Sequence, residues 1–272
     1  MKKRLALFAV VVLLCTLCTV PAHAAVSYEW LLKVAKQNEE MAAGDVGKID
    51  EMLDYEMAVH MYETAATLAP DKESEVECYL NAARVYRLLV DVSHDGTGQA
   101  ANRYDSAAKK YELVAEITGE YEYYYGLAAQ MHLEAAKLPG RSDNLAAYDM
   151  NDDKRLKEYD MAAVDYELIA ERTGKNEYYI KAAEMHLEAT KLVTLHSKIV
   201  NEYELAAKDY ELAGEQELAD KIRRNSMAFM LSEGYPEIVF GIGGLAVGFF
   251  AAMLIFRKKK IAVSSTSTDD EE

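Results

Sequence analysis

Two histidines stand in the same short phrase, His132 in "QMHLEAAKL" and His186 in "EMHLEATKL". An imidazole can ligate zinc, and along one helix its partner ligand belongs at i+3 or i+4. Those positions hold Ala135 and Ala136 in the first phrase, and Ala189 and Thr190 in the second. Glu134 and Glu188 lie two residues on and project to another face. The expectation is therefore a pair of packing or surface histidines fixed by a repeat, with no metal centre. Two linkers resemble calcium loops, where oxygens are wanted at positions 1, 3 and 5, a glycine at 6 and an acid at 12. "DVSHDG" offers Asp91, Ser93, Asp95 and Gly96, but places Asn102 at position 12. "DMNDDK" offers Asp149, Asn151 and Asp153, with Asp160 at position 12 but Lys154 at position 6. Neither loop is complete, and solvated acidic linkers are the simpler reading. No Gly-rich phosphate loop, CxxC pair, HExxH or GxSxG lies in the body of the chain, so neither catalysis nor a cofactor is expected.

Chemistry of another kind is offered by aromatic rings. Tyr121, Tyr123 and Tyr124 crowd one stretch, and Tyr178 and Tyr179 stand at the matching place further on. Such rings can stack on a partner, or seal one packed element against the next.

The elements that carry these residues are written as a repeat. "YDSAAKKYELVAEITG" from Tyr104 and "YDMAAVDYELIAERTG" from Tyr159 agree at 11 positions. Tyr104, Ala107, Ala108, Tyr111, Val114 and Ala115 fall on one face of an α-helix. Tyr159, Ala162, Ala163, Tyr166, Ile169 and Ala170 repeat that face, and looser copies start at Tyr203 and Tyr55. The histidine phrase follows each time, as "AAQMHLEAAKL", "AAEMHLEATKL" and, more loosely, "NAARVYRLL". Between them stand "TGEYE" and "TGKNE", whose Gly119 and Gly174 suit the left-handed position that ends a helix. Helices are expected over 27–41, 46–68, 72–91, 99–117, 121–138, 154–173, 176–196, 198–213 and 215–232, the break near His196 being the least marked. Paired alanines let two helix backbones approach, and the flanking tyrosines fill the grooves beside them with hydroxyls near water.

This pattern resembles the tetratricopeptide family. Tyr79, Ala82, Ala83 and Tyr86 match its first helix; Ala58, Tyr62 and Ala65, with Pro70 after them, match its second. Ala107, Tyr111 and Val114, and Ala162, Tyr166 and Ile169, match that second helix again. The repeated tyrosines are 49, 55 and 44 residues apart. That exceeds the family's unit of about 34 residues, and is more similar to the soluble NSF attachment protein (SNAP) group of such folds. The resemblance implies an all-α, antiparallel helical-hairpin repeat array that binds proteins and catalyses nothing.

The two ends speak of location. Lys2, Lys3 and Arg4, an apolar run from Leu5 to Val20, and Ala22 and Ala24 read as a secretory signal peptide over 1–24. Ile238 to Phe256 holds no charge and is followed by Arg257, Lys258, Lys259 and Lys260. That is the pattern of a membrane-crossing helix whose basic end stays in the cytoplasm. The expected layout is an extracytoplasmic repeat domain over 25–235, a transmembrane helix over 236–256 and a cytoplasmic tail over 257–272, that is, a single-pass type I protein of the cell membrane. Gly244, Gly248 and Ala252 recur every four residues in that span and could pair two copies of it as a homodimer. The chain carries 30 Lys and Arg against 46 Asp and Glu, a formal net charge of −16. Nucleic acid is thereby disfavoured, and a protein partner with a basic surface fits better. The expected function is an anchored scaffold for protein–protein interaction. The alternative is an extracytoplasmic ligand- or calcium-binding sensor or structural surface protein, for which the short tail leaves no output domain.

Overall fold

The computed structural model describes residues 26–46, 49–92, 97–138, 152–192 and 196–232. Residues 1–25, which include the expected signal peptide, the apolar run from Ile238 and the residues after it lie outside the described residues, as do Gly244, Gly248 and Ala252. Among the described residues no helix is long and apolar enough to cross a membrane.

The described residues form nine α-helices and no strand. They fall into two compact units that meet in sequence at Glu120 and Tyr121. The first unit holds α1 (Tyr28–Gly44), α2 (Ile49–Thr67), α3 (Lys72–Val92) and α4 (Thr97–Thr118), each packed on its neighbour in sequence. In the second unit α5 (Tyr121–Lys137), α6 (Asp152–Thr173), α7 (Glu177–Thr190), α8 (His196–Ala213) and α9 (Gln216–Ser232) do the same. All nine expected helices are present. The largest departure is α7, which stops at Thr190, where the N–H groups of Lys191 and Leu192 turn to the carbonyls of Glu188 and Ala189.

Helix ends follow local chemistry. The Ser27 hydroxyl accepts a hydrogen bond from the Trp30 N–H and opens α1, and the Asp71 carboxylate takes the Ser74 N–H and opens α3. The repeated Thr-Gly turn has one construction in both copies. Gly119 and Gly174 adopt φ of 76° and 72°, and their N–H groups reach back to the carbonyls of Ala115 and Ala170. The preceding threonine completes the turn. Thr118 donates to the Val114 carbonyl and accepts from the Glu120 N–H; Thr173 does the same with Ile169 and Lys175. Gly214, with φ 88°, closes α8 through paired bonds from its own N–H to Glu211 and from the Glu215 N–H to Tyr210.

Alanines line the core of each unit. Ala107, Ala108, Ala128, Ala129, Ala162, Ala163, Ala182, Ala183, Ala206 and Ala207 are all fully buried. In the first unit Ala58, Ala65 and Ala82 join Leu31, Val85 and Leu89 in one cluster. With only a methyl to accommodate, neighbouring helices approach closely and gain dispersion contact along their length. The tyrosines between the alanines correct one expectation. Their hydroxyls face carboxylates of a neighbouring helix where water had been expected: Tyr62 donates to Glu39 at 2.6 Å and Tyr86 to Glu63 at 3.0 Å. Burial and the adjoining carboxylate push the Tyr86 hydroxyl up to about 12, so it remains a donor at any ordinary pH.

Two stability measurements check this packing. Ala163 is fully buried in α6, so Ala163→Leu overfills the core and is expected to cost about 1–3 kcal/mol in denaturant unfolding. A Cβ built on Gly174 meets nothing within 4 Å. The cost of Gly174→Ala is then that of the left-handed backbone alone, about 1–2 kcal/mol, and its melting temperature should fall accordingly.

Candidate functional site

The two histidines sit inside the protein, each between charged neighbours. His132 on α5 is fully buried and His186 on α7 is 4% exposed. His186 Nδ1 meets Glu202 Oε2 of α8 at 2.9 Å, with Asp160 Oδ1 of α6 at 3.7 Å. On the opposite edge of the ring, Nε2 faces Asp209 Oδ2 of α8 at 3.7 Å. Glu167 of α6 joins it, a carboxylate oxygen lying within 4.8 Å of a His186 ring nitrogen and of Asp209. The imidazole is bracketed by two carboxyl pairs, Asp160 with Glu202 and Glu167 with Asp209. His132 repeats the arrangement on α6: Nδ1 meets Glu158 Oε2 at 2.8 Å and Nε2 looks toward Asp165 Oδ2 at 4.0 Å.

The helical phrase explains the geometry. Glu158 and Asp165 stand just before the first and just before the second tyrosine of their copy, and Glu202 and Asp209 occupy those places in theirs. Seven residues apart, each pair returns to the face that carries the alanines. Glu158, Asp165, Glu202 and Asp209 are all buried as a result.

Such crowding changes the acidity of the groups. Burial raises Asp160 to about 7, helped by the Glu202 charge and opposed by His186 and Lys198. Burial likewise raises Asp209 to about 7, helped by Glu167 and opposed by His186 and Lys208. For His186 burial pulls downward, but the Glu202 hydrogen bond and the charges of Glu202, Asp209 and Asp160 outweigh it and hold the ring above its ordinary value. When the neutral ring donates its Nδ1–H to Glu202, the Nε2 lone pair is left on the side of Asp209 and Glu167.

The first unit holds a third version of the same socket with its charges exchanged. Tyr86 takes the place of the histidine in the phrase, Arg103 that of Glu202, and Lys110 that of Asp209. Arg103 pairs with Glu56 at 3.4 Å and Lys110 with Glu63 at 2.7 Å. Glu56 and Glu63 stand where the later copy has Asp160 and Glu167. Here side-chain cations neutralise the socket; around His186 four carboxyls converge on one imidazole.

Looking for histidine partners along a single helix missed all of this, because the partners come from neighbouring helices. Glu134 and Glu188 do turn outward, to Lys137 and Lys191. The aromatic residues divide. Tyr123 is 61% exposed and packs edge-on against Tyr124, ring centroids 4.9 Å apart. Tyr178 is 8% exposed, stacks on Tyr166 and donates to Glu122 at 2.7 Å. Tyr121 and Tyr179 are half-buried. Cations cover several rings: Arg172 lies 5.2 Å from the Tyr121 centroid and Lys181 4.3 Å from that of Tyr178. Of the calcium-loop residues, Asp91 is exposed on α3 and Asp153 pairs with Lys198 at 2.6 Å, while Asp160 belongs to the His186 socket. Ser93, Asp95, Asp149 and Asn151 lie outside the described residues.

No family model matches the chain, and no curated protein matches it. Two solved structures to which it is similar are designed helical assemblies. One is the de novo designed helical repeat protein DHR64, at 21% identity and a TM-score of 0.36, covering 72% of this chain and 96% of that one. The other is the DHF58 filament, at 16% identity and a TM-score of 0.28, covering 76% of this chain and 82% of that one.

The socket makes the fold sensitive to pH in one direction. A carboxyl whose folded pKa is raised favours the native state below its unfolded value and loses that favour as pH climbs to about 7. His186, also raised, acts with the same sign. In chelator-containing buffer the melting temperature is expected to fall between about pH 5 and about pH 8. Asp209→Asn should flatten that fall and melt higher than the parent at the alkaline end.

Proposed function

We propose that the chain is a membrane-anchored, extracytoplasmic helical-repeat scaffold of the tetratricopeptide-like and SNAP-like kind, binding another protein and catalysing no reaction. Its outward face supports this reading. Tyr123 stands exposed beside Tyr124 and directly after Glu122, on a chain of net charge −16. Rings flanked by carboxylates suit lysine- or arginine-rich surfaces, whose aliphatic stems lie on the ring while the charge meets the acid. The chain does this internally already: Lys175 pairs with Glu122, and Lys181 covers Tyr178. The anchoring rests on the apolar run from Ile238 to Phe256 with its closing basic cluster, and the export on the opening segment through Ala24. Gly244, Gly248 and Ala252 would let two such anchors pair. The partner is a protein with a basic surface, and no cofactor or nucleic acid enters the reading.

Both halves of the proposal can be measured on the full chain in its native membrane. Cys78 is buried, and burial pushes its thiol up, so it reacts poorly. A cysteine placed at the exposed Gln130 should be labelled in intact cells by a membrane-impermeant thiol reagent; labelling only after lysis would overturn the orientation. A photo-crosslinking side chain at Tyr123 should give a discrete protein adduct that fades near 1 M salt, where charges are screened beyond about 3 Å. A missing adduct, or one indifferent to salt, would sink the acidic docking face.

A further inference from the structure

We infer that the His186 socket is a binding site for a first-row divalent transition metal ion, held by His186 Nε2, Asp209 and Glu167, with Glu202 orienting the imidazole from its far side. The donors come from three successive helices, α6, α7 and α8. They are one nitrogen and two carboxylates, a set suited to Zn²⁺, Mn²⁺ or Fe²⁺; calcium prefers oxygen alone.

Four observations carry the assignment. The ring is oriented as a ligand, because Glu202 meets the Nδ1 side at 2.9 Å and Nε2, once deprotonated, points its lone pair to the other side. A carboxylate–histidine pair of this kind is the usual outer support of a bound metal. Secondly, Asp209 is fully buried, no N–H or hydroxyl donates to either of its oxygens, and the group beside it is another acid, Glu167. Asp209 is aimed at Nε2 from 3.7 Å, too far for a hydrogen bond. Donors on a tetrahedral ion with bonds of about 2.0–2.2 Å stand about 3.3–3.5 Å apart, so an ion between them needs only a small closing movement. Thirdly, a ring nitrogen of His186 and carboxylate oxygens of Glu167 and Asp209 all lie within 4.8 Å of one another.

The fourth observation is internal to the chain. In the Tyr86 copy, Arg103 and Lys110 supply the positive charge that Glu56 and Glu63 require. In the His186 copy those two positions are Glu202 and Asp209. Possible ligands stand where the other copy has cations, and a histidine, the commonest nitrogen donor of metal sites, stands where it has Tyr86. Where the Tyr86 copy carries its own counter-charge, the His186 copy offers a place for a mobile one. His132, with Glu158 at 2.8 Å and Asp165 at 4.0 Å, keeps the same orienting acid and the same facing acid.

The test uses the full chain in detergent, stripped with chelator and titrated with Co²⁺ as the spectroscopic probe and Zn²⁺ as the thermal one. Saturable visible absorption of the strong, low-coordinate kind and an upward shift in melting temperature with Zn²⁺ are expected. Asp209→Asn should lower the number of ions bound per chain by one, although without metal it melts no lower than the parent. Glu167→Gln, at a half-buried position, should also lose that ion. Glu202→Gln should weaken it about 10–100-fold. Only weak six-coordinate absorption, as from ions on the acidic surface, would overturn the site. So would a parent chain that neither colours nor shifts, or an Asp209→Asn chain that binds as many ions as the parent.

Discussion

Close approach of helix backbones across paired alanines is the constraint on which the remainder of the molecule depends. A methyl group is the smallest side chain that still favours helix, so Ala at two adjacent positions costs nothing in propensity and removes the spacer between neighbours. Buried pairs such as Ala162 with Ala163 and Ala206 with Ala207 show the rule at work along the second unit. Once backbones are that near, every position beside the seam is forced into contact with the adjoining helix. Tyrosines fill the gap and find carboxylates for their hydroxyls. Acids placed there find whatever the neighbour presents, and in two copies the neighbour presents a histidine.

Close packing also explains why polar groups are tolerated inside so small a core. A lone buried carboxylate would be costly. Here several are answered at short range, by tyrosine hydroxyls at Glu39 and Glu63, by Arg103 and Lys110 around Tyr86, and by imidazole nitrogens at Glu158 and Glu202. Asp209 alone among the acids of the His186 socket is fully buried, with no N–H or hydroxyl donating to it and another acid, Glu167, beside it.

The helices were legible in the sequence because their signal is local. Tyrosine and alanine at helical spacing, with Thr-Gly turns between, place α4, α6 and α7 within a few residues, and only the end of α7 falls well short of expectation. The sockets were not legible along a single helix, since His132 meets Glu158 across 26 residues and His186 meets Glu202 across 16. A trace of them was nonetheless written there. Glu158 with Asp165, and Glu202 with Asp209, recur in identical register on the very face the alanines mark as buried. An acid repeated on a buried face calls for a partner, and the histidine repeated in the next phrase was the available one. Tyr178 misled for the opposite reason: aromatic density along the chain looks alike whether the rings point outward or seal a joint.

The three versions of the socket share a scaffold yet differ in sign. Tyr86 with Arg103 and Lys110 is self-neutralised, whereas His186 with Glu202 and Asp209 is strongly acidic. Since the alanines occupy other places in the phrase, a duplicated hairpin inherits a ready-made frame along with a freely editable interior. Gene duplication in such a chain copies the architecture and leaves the chemistry open to drift, so that one ancestral module can diversify into inert and reactive descendants within a single polypeptide.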